Sequence, residues 1–257
     1  MEKSKFAMGF AYDGTEFSAF STQSSGITVE GEIKKVLIST GAATGMRTAS
    51  RTDRNVSATF NVLTVETSFE PLKVMGMLNS SLKHIYFHSY APVDKKFNVR
   101  HCTEKEYTYL LPYKWVDPDI FLKEMKKFEG IHDFRNFCRY DSKDTTRELR
   151  KVSLVSWRDI PAIKFTARGF LWNQIRFMVG YGIQRLRDGI GPEDPWDEKG
   201  WARFIAPPEL LILTDVRYDG INMIPVHKKS LTRDVEKEKV IRSARHFLID
   251  EIQGKLI

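Results

Sequence analysis

A chain of 257 residues, 42% of them hydrophobic, can bury a substantial core as one large domain or two small ones, which excludes a disordered tail. Its 40 basic residues against 33 acidic leave a formal net charge of +7, permitting a polyanionic partner. No apolar leader follows Met1-Glu2-Lys3-Ser4-Lys5 and no apolar run approaches membrane-spanning length, so a soluble cytoplasmic protein is expected; Cys102 and Cys138 form no CxxC pair and exclude a disulfide framework.

Phe6, Met8, Phe10 and Tyr12 alternate with Ala7, Gly9 and Ala11, the period of a strand with one bulky face. Asp13-Gly14 turns the chain into a polar loop from Thr15 to Ser25. Thr28 caps a helix whose first turn carries Glu30 and Glu32, whose inner face carries Val29, Ile33, Val36 and Leu37, and whose end is Gly41. A strand near Met46 leads into the loop Ser50-Arg51-Thr52-Asp53-Arg54-Asn55-Val56-Ser57-Ala58, and Phe60 to Thr67 is β-rich. Pro71 opens a second helix with Leu72, Met75, Leu78 and Leu82 inward, and Ile85 to Tyr90 forms another strand. The order βαββαβ is that of a split-βαβ, ferredoxin-like unit.

Lys95 to Lys105 is basic with little apolar pattern and reads as the joint between a first half, residues 1–97, and a second, residues 98–257. The second half opens with a strand from Glu106 to Leu111, in which Tyr107, Tyr109 and Leu111 share a face. A helix from Asp119 to Phe128, ended by Gly130, follows. Strands at Arg147 to Trp157 and Ile163 to Arg168 precede a long apolar helix from Trp172 to Arg187. A short helix near Asp197 to Phe204, a strand near Leu211 to Tyr218 and an amphipathic helix from Thr232 to Ile252 complete it.

By charge pattern alone, Arg51, Asp53 and Arg54 read as a solvated turn with a surface ion pair. The nonapeptide that holds them nevertheless resembles the Arg-Thr-Asp signature of the tRNA pseudouridine synthase A family, with Ser50 and Asn55 where that family often has glycine. Asn is a frequent visitor to the left-handed region, so Asn55 keeps a turn that glycine would otherwise make. Further blocks resemble the same family in the same order: Phe97-Asn98-Val99-Arg100, Lys105-Glu106-Tyr107-Thr108-Tyr109, His132-Asp133-Phe134-Arg135-Asn136-Phe137, Phe170-Leu171-Trp172-Asn173-Gln174-Ile175-Arg176 and Ala206-Pro207-Pro208-Glu209 with Asp215-Val216-Arg217-Tyr218. Ala19-Phe20-Ser21 departs from the family's Gly-Trp-Gln.

The resemblance implies an α+β fold of two ferredoxin-like (split βαβ) α/β halves sharing a mainly antiparallel central sheet, with the catalytic cleft between them. It implies isomerisation of uridine to pseudouridine in tRNA, at nucleotides 38 to 40 of the anticodon stem-loop or elsewhere, with no cofactor and no metal. Asp53 is then the catalytic carboxylate, attacking ribose C1′ or removing a ribose proton to give a glycal. Arg176 supplies the cation that keeps it ionised, Tyr107 packs on the target uracil, and Arg51 enters the RNA stem where the base leaves. The partners implied are tRNA and a second copy of the chain in a homodimer. A non-catalytic RNA-binding or RNA-folding protein on the same scaffold is the alternative; Ser50, Asn55 and Ala19-Phe20-Ser21 lean toward it, and retention of Arg51, Asp53, Tyr107 and Arg176 against it.

Overall fold

The computed structural model describes residues 2–113, 115–139, 144–157, 159–197, 204–226, 235–236 and 239–240. Residues Met1–Ile224 form one compact unit and Pro225–Ile257 a second. In the first unit the elements run β1 (Ser4–Tyr12), α1 (Val29–Ser39), β2 (Met46–Thr48), β3 (Ser57–Thr67), α2 (Pro71–Ser81), β4 (Ile85–Val93), β5 (Glu104–Leu110), α3 (Pro118–Lys126), β6 (Gly130–Asp133), β7 (Thr146–Trp157), β8 (Ile160–Ala167), α4 (Gln174–Ile183) and β9 (Leu211–Arg217). Most of the helix expected from Thr232 to Ile252, and the body of the one expected from Asp197 to Phe204, lie outside the described residues. Among the described residues no helix is long and apolar enough to cross a membrane.

A single sheet runs β4-β1-β3-β9-β5-β8-β7-β6, with β2 paired to β3 off that path. All these pairings are antiparallel except the one between β3 and β9, where Ser57 faces Ile212 and Ala58 faces Leu213. One edge of β3 belongs to β1; its other edge is divided, Leu63 to Val65 pairing with β2 and Ser57 to Ala58 with β9. The sheet therefore forks along β3. The chain leaving β2 must cross the fork to re-enter as β3, and that crossing is the Arg51–Asp53 loop.

Alternation in β1 buries Met8 and Phe10, and Phe10 stacks on Phe87 of β4 at 5.3 Å between ring centroids. Thr28 caps α1 through its hydroxyl, which accepts from the Gly31 N–H at 3.1 Å, and the buried face is Val29, Ile33, Val36 and Leu37 as its spacing predicts. In α2 the expected inward Leu72 is instead 48% exposed, and Val74 takes the inner face with Pro71, Met75 and Leu78. The reason is angular: Val74, Met75 and Leu78 are mutually at i, i+1 and i+4, and Leu72 lies off that stripe. On the other side of the molecule Phe128 is the hub of a ring cluster, 4.7 Å from Phe137 and 5.6 Å from Tyr181 of α4. Burial of each such side chain contributes about 1.5–3 kcal/mol.

Among the boundaries that differ from the sequence expectation, two have clear local reasons. Lys105, read as part of a joint, already lies in β5, because pairing of Glu104 and Lys105 with β9 extends the strand backwards. Gly130 does not simply end α3: at φ 107 it opens the edge strand β6. At Gly180, in the middle of α4, an added Cβ would stand 2.0 Å from the Phe204 carbonyl oxygen. Gly180→Ala is therefore expected to force that segment off the helix, costing about 1–3 kcal/mol. Thermal denaturation should show it as a drop of about 2–4 °C per kcal/mol in a chain of this size.

Candidate active site

The crossing loop is fixed at both ends by groups buried in the sheet. The Ala49 N–H donates to the Val62 carbonyl at 2.8 Å, and the Asn61 side chain, fully buried, donates to the Ser50 carbonyl at 3.0 Å. Tyr12 and Thr52 share a hydrogen bond of 2.8 Å between hydroxyls, tying the loop to the end of β1. Beyond Asp53 the chain turns tightly: the Val56 N–H donates to the Asp53 carbonyl at 3.2 Å, and Asn55 takes φ 65, the left-handed conformation anticipated for it. Its side chain donates to Glu209 at 2.7 Å, so this asparagine both makes the turn and fastens it to the segment before β9. Gly14 lets the loop lie close, since a Cβ there would stand 2.1 Å from the Val56 carbonyl oxygen.

Held this way, Arg51 and Asp53 face a cleft of about 590 Å³ whose walls also include Phe20, Tyr107, Arg147, Phe170 and Trp172. Arg51 is exposed, and the Asp53 side chain retains 18% of its accessible surface. Arg176 comes from the first turn of α4 and brings Nη1 to 3.7 Å from Asp53 Oδ2, with 16% of its side chain exposed. Its Nε donates to the Ala206 carbonyl at 2.8 Å, which fixes the guanidinium against the same segment that Gly180 admits. The structure thus brings Arg51, Asp53 and Tyr107 to one cleft and sets Arg176 directly behind the carboxylate.

Burial is the largest influence on Asp53 and pushes its carboxyl above the ordinary range; the Asn173 side chain and the charges of Arg176 and Arg139 pull the other way without cancelling it. Arg176 is itself moved down by burial, opposed chiefly by Asp53. Both shifts are those of a desolvated ion pair, in which burial disfavours each charge and the partner charge restores part of it. Tyr107 is 9% exposed and its ring meets Phe170 edge-on at 5.3 Å. Burial, followed by the neighbouring Tyr12 and the charge of Asp53, pushes its phenol up, so at neutral pH it is an uncharged group able to donate a hydrogen bond. Tyr109, two residues on, is fully buried, a core residue as its position implies.

Three participants carried no assigned role in the sequence. Asn173 donates from Nδ2 to Asp53 Oδ2, from a backbone at φ 62 that turns it out of α4 and into the cleft. Trp172 is 46% exposed at the cleft wall, and the Arg139 guanidinium lies 5.2 Å from its ring centroid. Phe20, the centre of the Ala19-Phe20-Ser21 departure, is 2% exposed and packs on Tyr12 at 5.6 Å. Their signal was present in the blocks around Arg176 and after Gly14, but position alone does not say which side chain turns inward.

Arranged so, the site can hold a planar base between aromatic walls, present a carboxylate to an electrophilic sugar carbon, and meet an anionic backbone with Arg51, Arg54 and Arg147. A family model described as tRNA pseudouridine synthase matches residues 125–219. The tRNA pseudouridine synthase A of Thermoplasma acidophilum is 39% identical over 224 residues, covering 87% of this chain and 87% of that one. That of Picrophilus torridus is 35% identical over 215 residues, 84% of this chain and 82% of its own. That of Pyrococcus horikoshii is 34% identical over 256 residues, 95% and 97% respectively. Identity at this level, sustained over most of both partners in each comparison, means that the chain belongs to the tRNA pseudouridine synthase A family.

Proposed function

We propose that the protein isomerises uridine to pseudouridine in the anticodon stem-loop of tRNA, with Asp53 as the catalytic carboxylate. The observation that carries this reading is the Asp53–Arg176–Asn173 constellation, a partly buried carboxylate facing a base-sized cleft with a cation and an amide behind it. The bond between uracil N1 and ribose C1′ breaks, the base rotates, C5 joins C1′, and the proton lost from C5 is balanced by one gained at N1. No electrons leave the substrate. Asp53 attacks C1′ or removes a ribose proton. Arg176 and Asn173 stabilise its ionised form, which burial alone would disfavour.

Tyr107 packs on the rotating base with its neutral phenol toward it, and Arg51, exposed at the lip, occupies the place the base leaves in the stem. The strand orders β4-β1-β3-β2 and β9-β5-β8-β7 support a reading of two ferredoxin-like halves, residues 1–97 and 98–257, with the cleft between them. A cytoplasmic homodimer belongs to the same reading through the family resemblance, and sedimentation of the purified protein reads the dimer. Because Asn55 keeps its turn, its departure from glycine does not favour a non-catalytic RNA-binding role.

Mapping pseudouridine in unmodified tRNA transcripts, by carbodiimide modification and primer extension, tests the function. New stops in the anticodon stem-loop are expected; stops confined to another part of the tRNA would move the target, and none on any transcript would overturn the reading. Tyr107→Phe keeps the ring and removes the hydroxyl. It is expected to hold RNA affinity within about threefold and to lower kcat roughly 10- to 100-fold, the cost of one lost hydrogen bond in the transition state. Unchanged turnover would leave Tyr107 a packing residue.

A further inference from the structure

Alternation along β5 sends Lys105 and Tyr107 to one face and Glu104 and Glu106 to the other. The acidic face is fully engaged: Arg217 lies 2.8 Å from Glu104 and 3.0 Å from Glu106, and Lys164 lies 3.3 Å from Glu106. The opposite face is electrically unbalanced. A second cavity of about 310 Å³ opens there, lined by Ser50, Arg51, Arg100, Lys105, Tyr107 and Phe170 among others, and no Asp or Glu is among its described lining residues.

None of Arg51, Arg100 and Lys105 forms an ion pair with a carboxylate among the described residues. The Lys105 ammonium donates to the Ala49 carbonyl at 2.9 Å, which leaves two of its three N–H groups for another acceptor. Burial holds the Lys105 pKa down; Cys102 opposes this, and the nearby Arg100 charge pushes the same way as burial, so Lys105 and Arg100 repel one another in the pocket. An anion seated among them would relieve both effects. Arg51, Tyr107 and Phe170 also line the cleft that holds Asp53, so the two spaces share a wall.

We propose that this cavity seats one phosphodiester of the RNA strand, adjoining the nucleotide whose base enters the Asp53 cleft. The proposal rests on the reading of that cleft as the site of base isomerisation. A phosphate is the anion that accompanies every base at about one nucleotide's reach, and Lys105, Arg100 and Arg51, which all line the cavity, offer it charge-assisted donors. Lys105, tied also to Ala49, couples the seated phosphate to the strand that leads into Arg51 and Asp53. Contacts to a phosphate carry position and affinity and no base sequence.

The test is a methylphosphonate scan. Anticodon stem-loop RNAs, each with a single phosphate replaced by the uncharged methylphosphonate, are bound to wild type and to Arg100→Gln, and dissociation constants are read by filter binding. Arg100 is suited to this because Lys105 also anchors the loop. One position is expected at which neutralisation weakens wild type roughly tenfold yet weakens Arg100→Gln little further, with the salt dependence of Arg100→Gln reduced by about one ion. Equal losses in both proteins at every position would overturn the proposal. So would a flat scan accompanied by tight binding of inorganic phosphate alone, which would assign the cavity to a free anion. Lys105→Arg, which keeps charge and length, should retain the position-specific loss, whereas Lys105→Met should lose it. Because binding is read without turnover, absence of pseudouridine would refute the catalytic reading and leave this result standing on its own.

Discussion

Asp53→Asn is expected to bind tRNA close to wild type and to form no detectable pseudouridine, a loss on the order of 10⁴–10⁶-fold of the kind that follows removal of a nucleophile. The substitution keeps shape and an oxygen able to accept from Asn173, so the loop and its anchors at Asn61, Tyr12 and Glu209 should persist. It removes only the charge that the mechanism needs. The same change has a stability signature with a determined sign. Burial raises the Asp53 pKa in the folded chain above its unfolded value, so the folded form holds that proton more tightly. The stabilisation this gives is present below the ordinary carboxylate range and is lost as pH rises through the folded value. At neutral pH the ionised carboxylate weighs against the fold. Asp53→Asn should therefore melt at or above the wild-type temperature at pH 7, and the gap should close in acid. Retained turnover, or lost tRNA binding with turnover intact, would remove Asp53 from the role assigned to it.

Arg176→Gln is expected to have the next largest effect, and to reveal itself in a pH profile. At 3.7 Å Arg176 is the cation paired with the Asp53 carboxylate among the described residues, and its removal leaves burial opposed by Asn173 and the more distant Arg139. Loss of an opposite charge at this distance moves a carboxylate further up. If turnover requires ionised Asp53, the acid limb of kcat/KM moves to higher pH. Activity then recovers in part as the pH is raised. Arg176→Lys keeps the charge while weakening the contact to the Ala206 carbonyl, and should fall between the two. A loss that is uniform across pH, with the limb unmoved, would show that Arg176 acts by fastening the 204–206 segment alone.

Much of the architecture could be read from local pattern. The period of two in β1, the capped α1 with its four-residue inner face, and Pro71 at the start of α2 each appear where elementary stereochemistry places them. Asn55 at φ 65 is the same kind of inference, since few residues other than glycine and asparagine tolerate that backbone. The misses were also local in cause. The spacing of Leu72, Met75, Leu78 and Leu82 fits a helix face almost as well as the one Val74 shares, and β6 has four residues at a sheet edge, with Ile131 70% exposed, that carry almost no periodic signal.

The sequence by itself therefore determined most of the elements, their order, the basic character and the short motif in which Arg51 and Asp53 stand two residues apart. Tertiary structure alone decided what surrounds them. Division of one edge of β3 between β2 and β9 opens the fork that the motif loop must cross, and no local period encodes a shared edge. Asn173 reaches Asp53 across 120 positions, and Asn55 reaches Glu209 across 154. The Asn173 contact is favoured by burial, which makes an unpartnered polar group costly. The cations lining the cavity beside Tyr107 have a different source: strand alternation sent the acidic and basic residues of β5 to opposite faces, and among the described residues packing supplied counter-charges to only one of them.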